Sequence, residues 1–164
     1  MNKLRFLTMF AVILTSLASF TNIEIVTPPV EYPEGYRNWT HVKTAIVGPK
    51  SPAYPHFGGF HHIYANEKAM KGYSTGIFPN GSILVFDVLE ATEKDTDVLE
   101  GKRRIVDVMV KDSQKYSDTG GWGFEEFEGD SKTQRNIKEQ ANSQCFSCHK
   151  LKKEKDFVFS EFRP

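Results

Sequence analysis

Two stretches of this chain read as strands before anything else: Ile83 to Leu89 and Arg104 to Val110, both rich in β-branched residues and bounded by turn formers. In the second, Ile105, Asp107 and Met109 alternate with Val106, Val108 and Val110, the spacing that sends successive side chains to opposite faces of a sheet. Shorter runs at Thr44 to Val47, His61 to Ala65 and Trp122 to Phe127 add three more strands, the last after a Thr119-Gly120-Gly121 turn. Pro33 to Trp39 reads as a short turn or helical piece, and Gly48 to Phe60 as a loop rich in proline, glycine and aromatics. Asn66 is placed to cap a short helix through Lys68, Ala69 and Lys71 that ends near Gly72. Phe78-Pro79-Asn80-Gly81 is a turn, and Asn-Gly before an apolar run is a hairpin signal. The acidic stretch Thr92 to Glu100 reads as a solvated loop. Ser131 to Gln134 has the S-x-x-Q spacing of a capping box and opens a predicted helix through Ile137 and Ala141 towards Cys145. The charged run Lys150 to Lys155 then leads into Asp156-Phe157-Val158-Phe159.

These elements predict an α+β fold, mainly an antiparallel β-sheet with a helix near the C-terminus. At least four strands argue against a four-helix bundle, and nothing in the chain repeats. The first 18 residues stand apart. Asn2-Lys3-Leu4-Arg5 gives a positive start, Phe6 to Leu14 an apolar core and Ser16-Leu17-Ala18 a small-x-small cleavage site, which is the pattern of a secretory signal peptide. The apolar run is short for a membrane-spanning helix, which needs about 20 residues; an uncleaved anchor is the rival reading. Residues 19–32, with Pro28-Pro29, form an irregular leader, and 33–164 one domain with enough chain for a single core.

Charge narrows the partners. The chain holds 21 basic and 21 acidic residues, and loss of Lys3 and Arg5 with the signal leaves it mildly acidic, so neither nucleic acid nor an anionic membrane surface is expected. The chemistry concentrates in Cys145-Phe146-Ser147-Cys148-His149, which contains the only two cysteines. C-x-x-C-H is the attachment pattern for a c-type haem. Two thiols three positions apart can each add to one vinyl group of a porphyrin, and the following histidine then lies under the ring to ligate iron. On a helix Cys145 and His149 share a face. The rivals are a structural zinc site, a thioredoxin-like redox pair and a plain disulfide. Zinc wants four N or S ligands, and no second cysteine pair is present. A redox C-x-x-C normally opens a helix after a strand, whereas this one closes a helical stretch. One covalently attached haem c, with Cys145 and Cys148 as its anchors and His149 as metal ligand, is therefore expected, on the C-terminal helix. Export agrees with it, placing the protein in the periplasm or otherwise outside the cytoplasm.

Several further segments, in order, resemble the cytochrome P-460 family, which includes the cytochromes c′-beta. They are Tyr36-Arg37-Asn38-Trp39 with His41-Val42, Ile63-Tyr64-Ala65-Asn66, and Thr75-Gly76-Ile77-Phe78-Pro79-Asn80-Gly81. Val108-Met109-Val110-Lys111-Asp112, Gly120-Gly121-Trp122-Gly123-Phe124, the CFSCH motif and Asp156-Phe157-Val158-Phe159-Ser160 complete the set. The resemblance implies a mainly antiparallel β fold, a homodimer, His149 as proximal ligand and an open or weakly occupied distal site. Within the family, P-460 proteins proper carry a lysine–porphyrin cross-link and oxidise hydroxylamine; the c′-beta proteins lack the cross-link and bind nitric oxide or carbon monoxide beneath phenylalanines. A cytochrome redox partner is a further possibility.

Candidate residues for each branch can be named. Lys68 and Lys71 are candidates for the cross-link, against the plainer reading that both are solvated. Glu125 and Glu126 lie on a predicted strand, where alternation sends them to opposite faces, so one could point inward as a proton acceptor; Glu128 lies beside them. Phe57, Phe60, Phe78 and Trp122 flank glycine-rich turns and could cover a planar cofactor, or simply fill the core. For a six-coordinate electron carrier, Met70, Met109, His41, His56, His61 and His62 are the remaining candidates. The expectation is an exported cytochrome that binds a small molecule such as nitric oxide at five-coordinate iron. Hydroxylamine oxidation and electron transfer are the alternatives.

Overall fold

The computed structural model describes residues 29–137 and 140–164. The expected signal peptide, residues 1–18, and most of the leader lie outside the described residues. Five strands pair in chain order into one antiparallel sheet: β1 (Thr40–Val47), β2 (Gly59–Ala65), β3 (Ile83–Lys94), β4 (Asp97–Lys111) and β5 (Trp122–Glu128). A one-turn helix α1 (Tyr54–Phe57) joins β1 to β2, and α2 (Glu67–Thr75) joins β2 to β3. The fold is thus α+β and mainly sheet. Among the described residues no helix is long and apolar enough to cross a membrane.

Local chemistry explains the boundaries. Asn66 caps α2 by accepting the Ala69 N–H at 2.9 Å, and its amide also donates to the Gly81 carbonyl, tying helix start to the turn before β3. The helix runs past Gly72 to a left-handed Gly76. Gly72 lies inside it because a Cβ there would sit 2.2 Å from the Phe78 ring. The Asn80-Gly81 turn connects α2 to β3 and so makes no hairpin of its own.

Two expectations need correction. Thr92 to Glu100 is no loop: β3 and β4 continue pairing to Lys94 opposite Asp97, and the exposed charges coat a two-stranded arm. The Ser131 segment does not open a helix. Ser131 Oγ accepts the Gln134 N–H at 2.9 Å as a cap would. The chain then turns extended, because Gln134 and Arg135 pair with the edge of β5: Glu128 N–H donates to the Gln134 carbonyl and Asn136 N–H to the Glu126 carbonyl. Helical structure around the motif consists of a π-type turn, Asn142–Phe146, a short α3 (Ser147–His149) and a 3-10 stretch, Lys150–Lys155.

Both faces of the sheet are covered. One carries Tyr36, Tyr64, Val85, Val106, Val108 and Phe127, with Val30 and Tyr32 from the end of the expected leader packed on them. The other carries Ala65, Leu84 and Phe124, covered by α2, Phe78, Trp122, Val158 and the motif residues Cys145 and Phe146. Burying such side chains contributes about 1.5–3 kcal/mol each, so the motif helix is held by the sheet rather than by its own few turns.

Candidate functional site

Strand register builds the floor of the site. Ile63, Phe86, Asp107 and Glu126 face one another across β2 to β5, forming a single row on the motif side. The adjacent row is Ala65, Leu84, Met109 and Phe124. Above these rows opens a cavity of about 550 Å³, bounded by Cys145, Cys148 and His149 on one side and by Val158, Phe159 and Ser160 on another. His56 and Phe57 of α1 close a further edge.

His149 is held on three sides. Its Nδ1 donates to the Phe157 carbonyl at 2.7 Å, and its ring lies 5.0 Å from Phe124 and 4.9 Å from Phe159. With the proton on Nδ1, the Nε2 lone pair is left for a metal. Burial pushes the imidazole pKa down, against the pull of the Phe157 carbonyl, so the ring is neutral as ligation requires. The carbonyl comes from an unusual turn in which Asp156 and Phe157 have φ of 49° and 66°. Each such non-glycine residue costs of order 1–3 kcal/mol.

The thiols are free, Cys145 half-buried and Cys148 exposed. Burial, followed by the nearby acids Asp107, Glu126 and Glu125, pushes the Cys145 thiol up to about 12. A redox or zinc-binding cysteine needs its thiolate stabilised, so this environment opposes both rivals. Among the described residues no three histidine, cysteine or acidic side chains group closely enough to hold a metal ion. The donor set at the motif is therefore one imidazole beside two free thiols and an aromatic wall. A cavity of 300–1,000 Å³ is the usual size for a buried organic ligand. The residues fit a planar apolar macrocycle anchored at one edge.

One polar patch interrupts the wall. Asp107 lies against the carboxylate of its cross-strand neighbour Glu126, and its own pKa is raised well above the ordinary value by burial and then by Glu126 and Glu125. Glu126 also meets His56 Nε2 at 2.7 Å and accepts from the Asn136 amide at 2.8 Å. Glu125 points the other way, accepting the backbone N–H groups of Ile137 and Glu126.

Of the four aromatics singled out in the sequence, Phe57 lines the cavity. Phe60 stacks on His62, with rings 6.0 Å apart and 6° from parallel, and does not line it. Phe78 and Trp122 are buried against each other in the same core cluster as Cys145, behind the cavity wall. Lys68 and Lys71 are exposed, and among the described residues no lysine reaches the cavity. His41 and His62 share Thr44 as partner, His61 bonds the Phe57 carbonyl, and Met70 packs from α2 against the core. Met109 does line the cavity. Phe86, Phe124, Phe159 and Asp107 also line the cavity and were not among the site candidates read from the sequence. The signal for Asp107 was an acid in the middle of an apolar strand.

The family model for Cytochrome P460 matches residues 33–160. No curated protein matches the chain. The chain belongs to the cytochrome P460 family, and with that membership goes haem binding.

Proposed function

We propose that this member of the cytochrome P460 family is an exported monohaem c-type cytochrome that binds a small ligand, nitric oxide above all, at an iron with one protein ligand. Cys145 and Cys148 anchor the ring and His149 ligates the metal. The observation that carries this reading is the convergence of both thiols and an oriented His149 on one largely apolar cavity. The bound haem would supply an iron with an open coordination position. The chain's residues do the rest. The Phe157 carbonyl orients the imidazole, and Phe57, Phe86 and Phe159 keep water out while leaving room for a diatomic molecule.

His56 is engaged by Glu126, and Met109 is the cross-strand neighbour of Phe124, whose ring already contacts His149. Neither is favourably offered as a sixth ligand. Hydroxylamine oxidation is the second reading, favoured by one specific feature: the Asp107–Glu126 pair, joined to His56, can hold and pass on a proton at the cavity wall. A homodimer, a cytochrome redox partner and cleavage after residue 18 belong to the same proposal.

An optical spectrum of the purified ferrous protein tests it. A high-spin spectrum that changes on adding nitric oxide or carbon monoxide is the expected result. A green protein with a strongly red-shifted band would establish the cross-linked enzyme instead, and a low-spin spectrum indifferent to carbon monoxide an electron carrier.

A further inference from the structure

We infer that the Lys111–Asp156 ion pair is a positioning device for His149, fixing the turn that lays the Phe157 carbonyl on the imidazole Nδ1. The inference rests on the haem reading above, since it concerns what that imidazole offers a metal.

Four tethers meet at Asp156. Its Oδ1 accepts from Lys111 Nζ at 2.6 Å, and its Oδ2 accepts the Phe78 N–H at 2.8 Å. Its carbonyl accepts from Trp122 Nε1 at 2.8 Å, while its own N–H donates to Lys153 at 3.2 Å. Lys111 is anchored in turn by the Gly120 carbonyl at 3.0 Å and lies over the Trp122 ring. Three of the four come from β4, from the turn before β3 and from the start of β5, and the fourth is local, from the 3-10 stretch.

They hold a conformation that the sequence would not choose. Asp156 and Phe157 are consecutive left-handed residues, and a bulky phenylalanine is rarely found there. Glycine at 120 completes the fit, because a Cβ there would lie 2.3 Å from the Phe157 ring. What the turn delivers is a single carbonyl, 2.7 Å from His149 Nδ1. An acceptor in that place fixes the tautomer and raises the basicity of the metal-facing nitrogen. A buried ion pair is a poor source of stability, because removing two charges from water costs about what their attraction returns. Lys111 and Asp156 have side chains only 9% and 14% exposed. Their contribution is the geometry they impose.

Resonance Raman of the ferrous holoprotein reads the result through the iron–histidine stretching band. Lys111→Met keeps the aliphatic stem over Trp122, and Asp156→Asn keeps an oxygen for the Phe78 N–H. Each, with haem attachment checked by intact mass, is expected to move the band to lower frequency, and Lys111→Arg to leave it near the wild-type position. An unmoved band in the loaded variants would overturn the inference, whatever happens to their melting temperatures. So would failure of both to fold and carry haem, since a positioning role leaves the fold standing. A wild-type protein without the band would instead refute His149 as ligand, a result seen before any substitution is made.

Discussion

The neighbouring strands β3 and β4 each carry an aspartate, on opposite faces of the sheet, and the two are treated in opposite ways. On the face away from the motif, Asp87 is wholly buried and fully partnered: Arg103 Nε donates to it at 2.6 Å and the Tyr36 hydroxyl at 2.8 Å, with Arg37 at 3.7 Å. On the motif face Asp107 looks into the cavity, and its charged neighbours are Glu126 and Glu125. The first arrangement is a satisfied structural network. The second is a standing cost, because like charges and burial both oppose ionisation. Carboxyl groups kept in the acid form at a cavity wall are where sites, rather than cores, are found.

That contrast can be broken from either side. The largest effect is expected at the motif: His149→Ala should retain covalently bound porphyrin and lose its proximal ligation, visible as a changed ferrous spectrum; an unchanged one would refute the assignment. Next, Asp87→Ala leaves Arg103 and Tyr36 without their buried partner and should cost about 3–5 kcal/mol in urea unfolding, with the ferrous spectrum unaltered. Asp107→Asn should act in the opposite direction. The folded-state pKa of Asp107 lies above its unfolded value, so the protonated form favours folding and that contribution is lost as pH rises through the folded pKa. The asparagine variant should therefore be more stable than wild type in denaturant melts at pH 8 and level with it at pH 3; equal stability at both would show that Asp107 ionises freely. Smallest of all, Val98→Ser or Leu99→Ser on the exposed arm should stay within about 0.5 kcal/mol of wild type.

How far the sequence could be read differs between strands and site. All five strands were legible from β-branched or aromatic runs and turn residues, and Asn66 was a legible cap. The arm beyond Leu89 was hidden because an exposed two-stranded ribbon and a solvated loop share a polar composition. The Ser131 segment misled for a related reason. Its side chain makes the cap-like bond, and pairing with β5 then overrides the local preference. At the site, the anchors lie within five consecutive residues and needed no fold to be recognised. The wall did need one. Phe86 and Asp107 reach the cavity only through cross-strand register, and Phe60, one position into β2, stacks on His62 and not on the cavity. Tertiary register is what a linear pattern of aromatics cannot supply.

The turn at Asp156 and Phe157 follows the motif in the chain, yet it determines how His149 is presented. Under the proposed reading, tether and ligand therefore make different demands on the fold: the tether needs only the two thiols, whereas the ligand is aimed only where residues 156 and 157 lie back against the sheet.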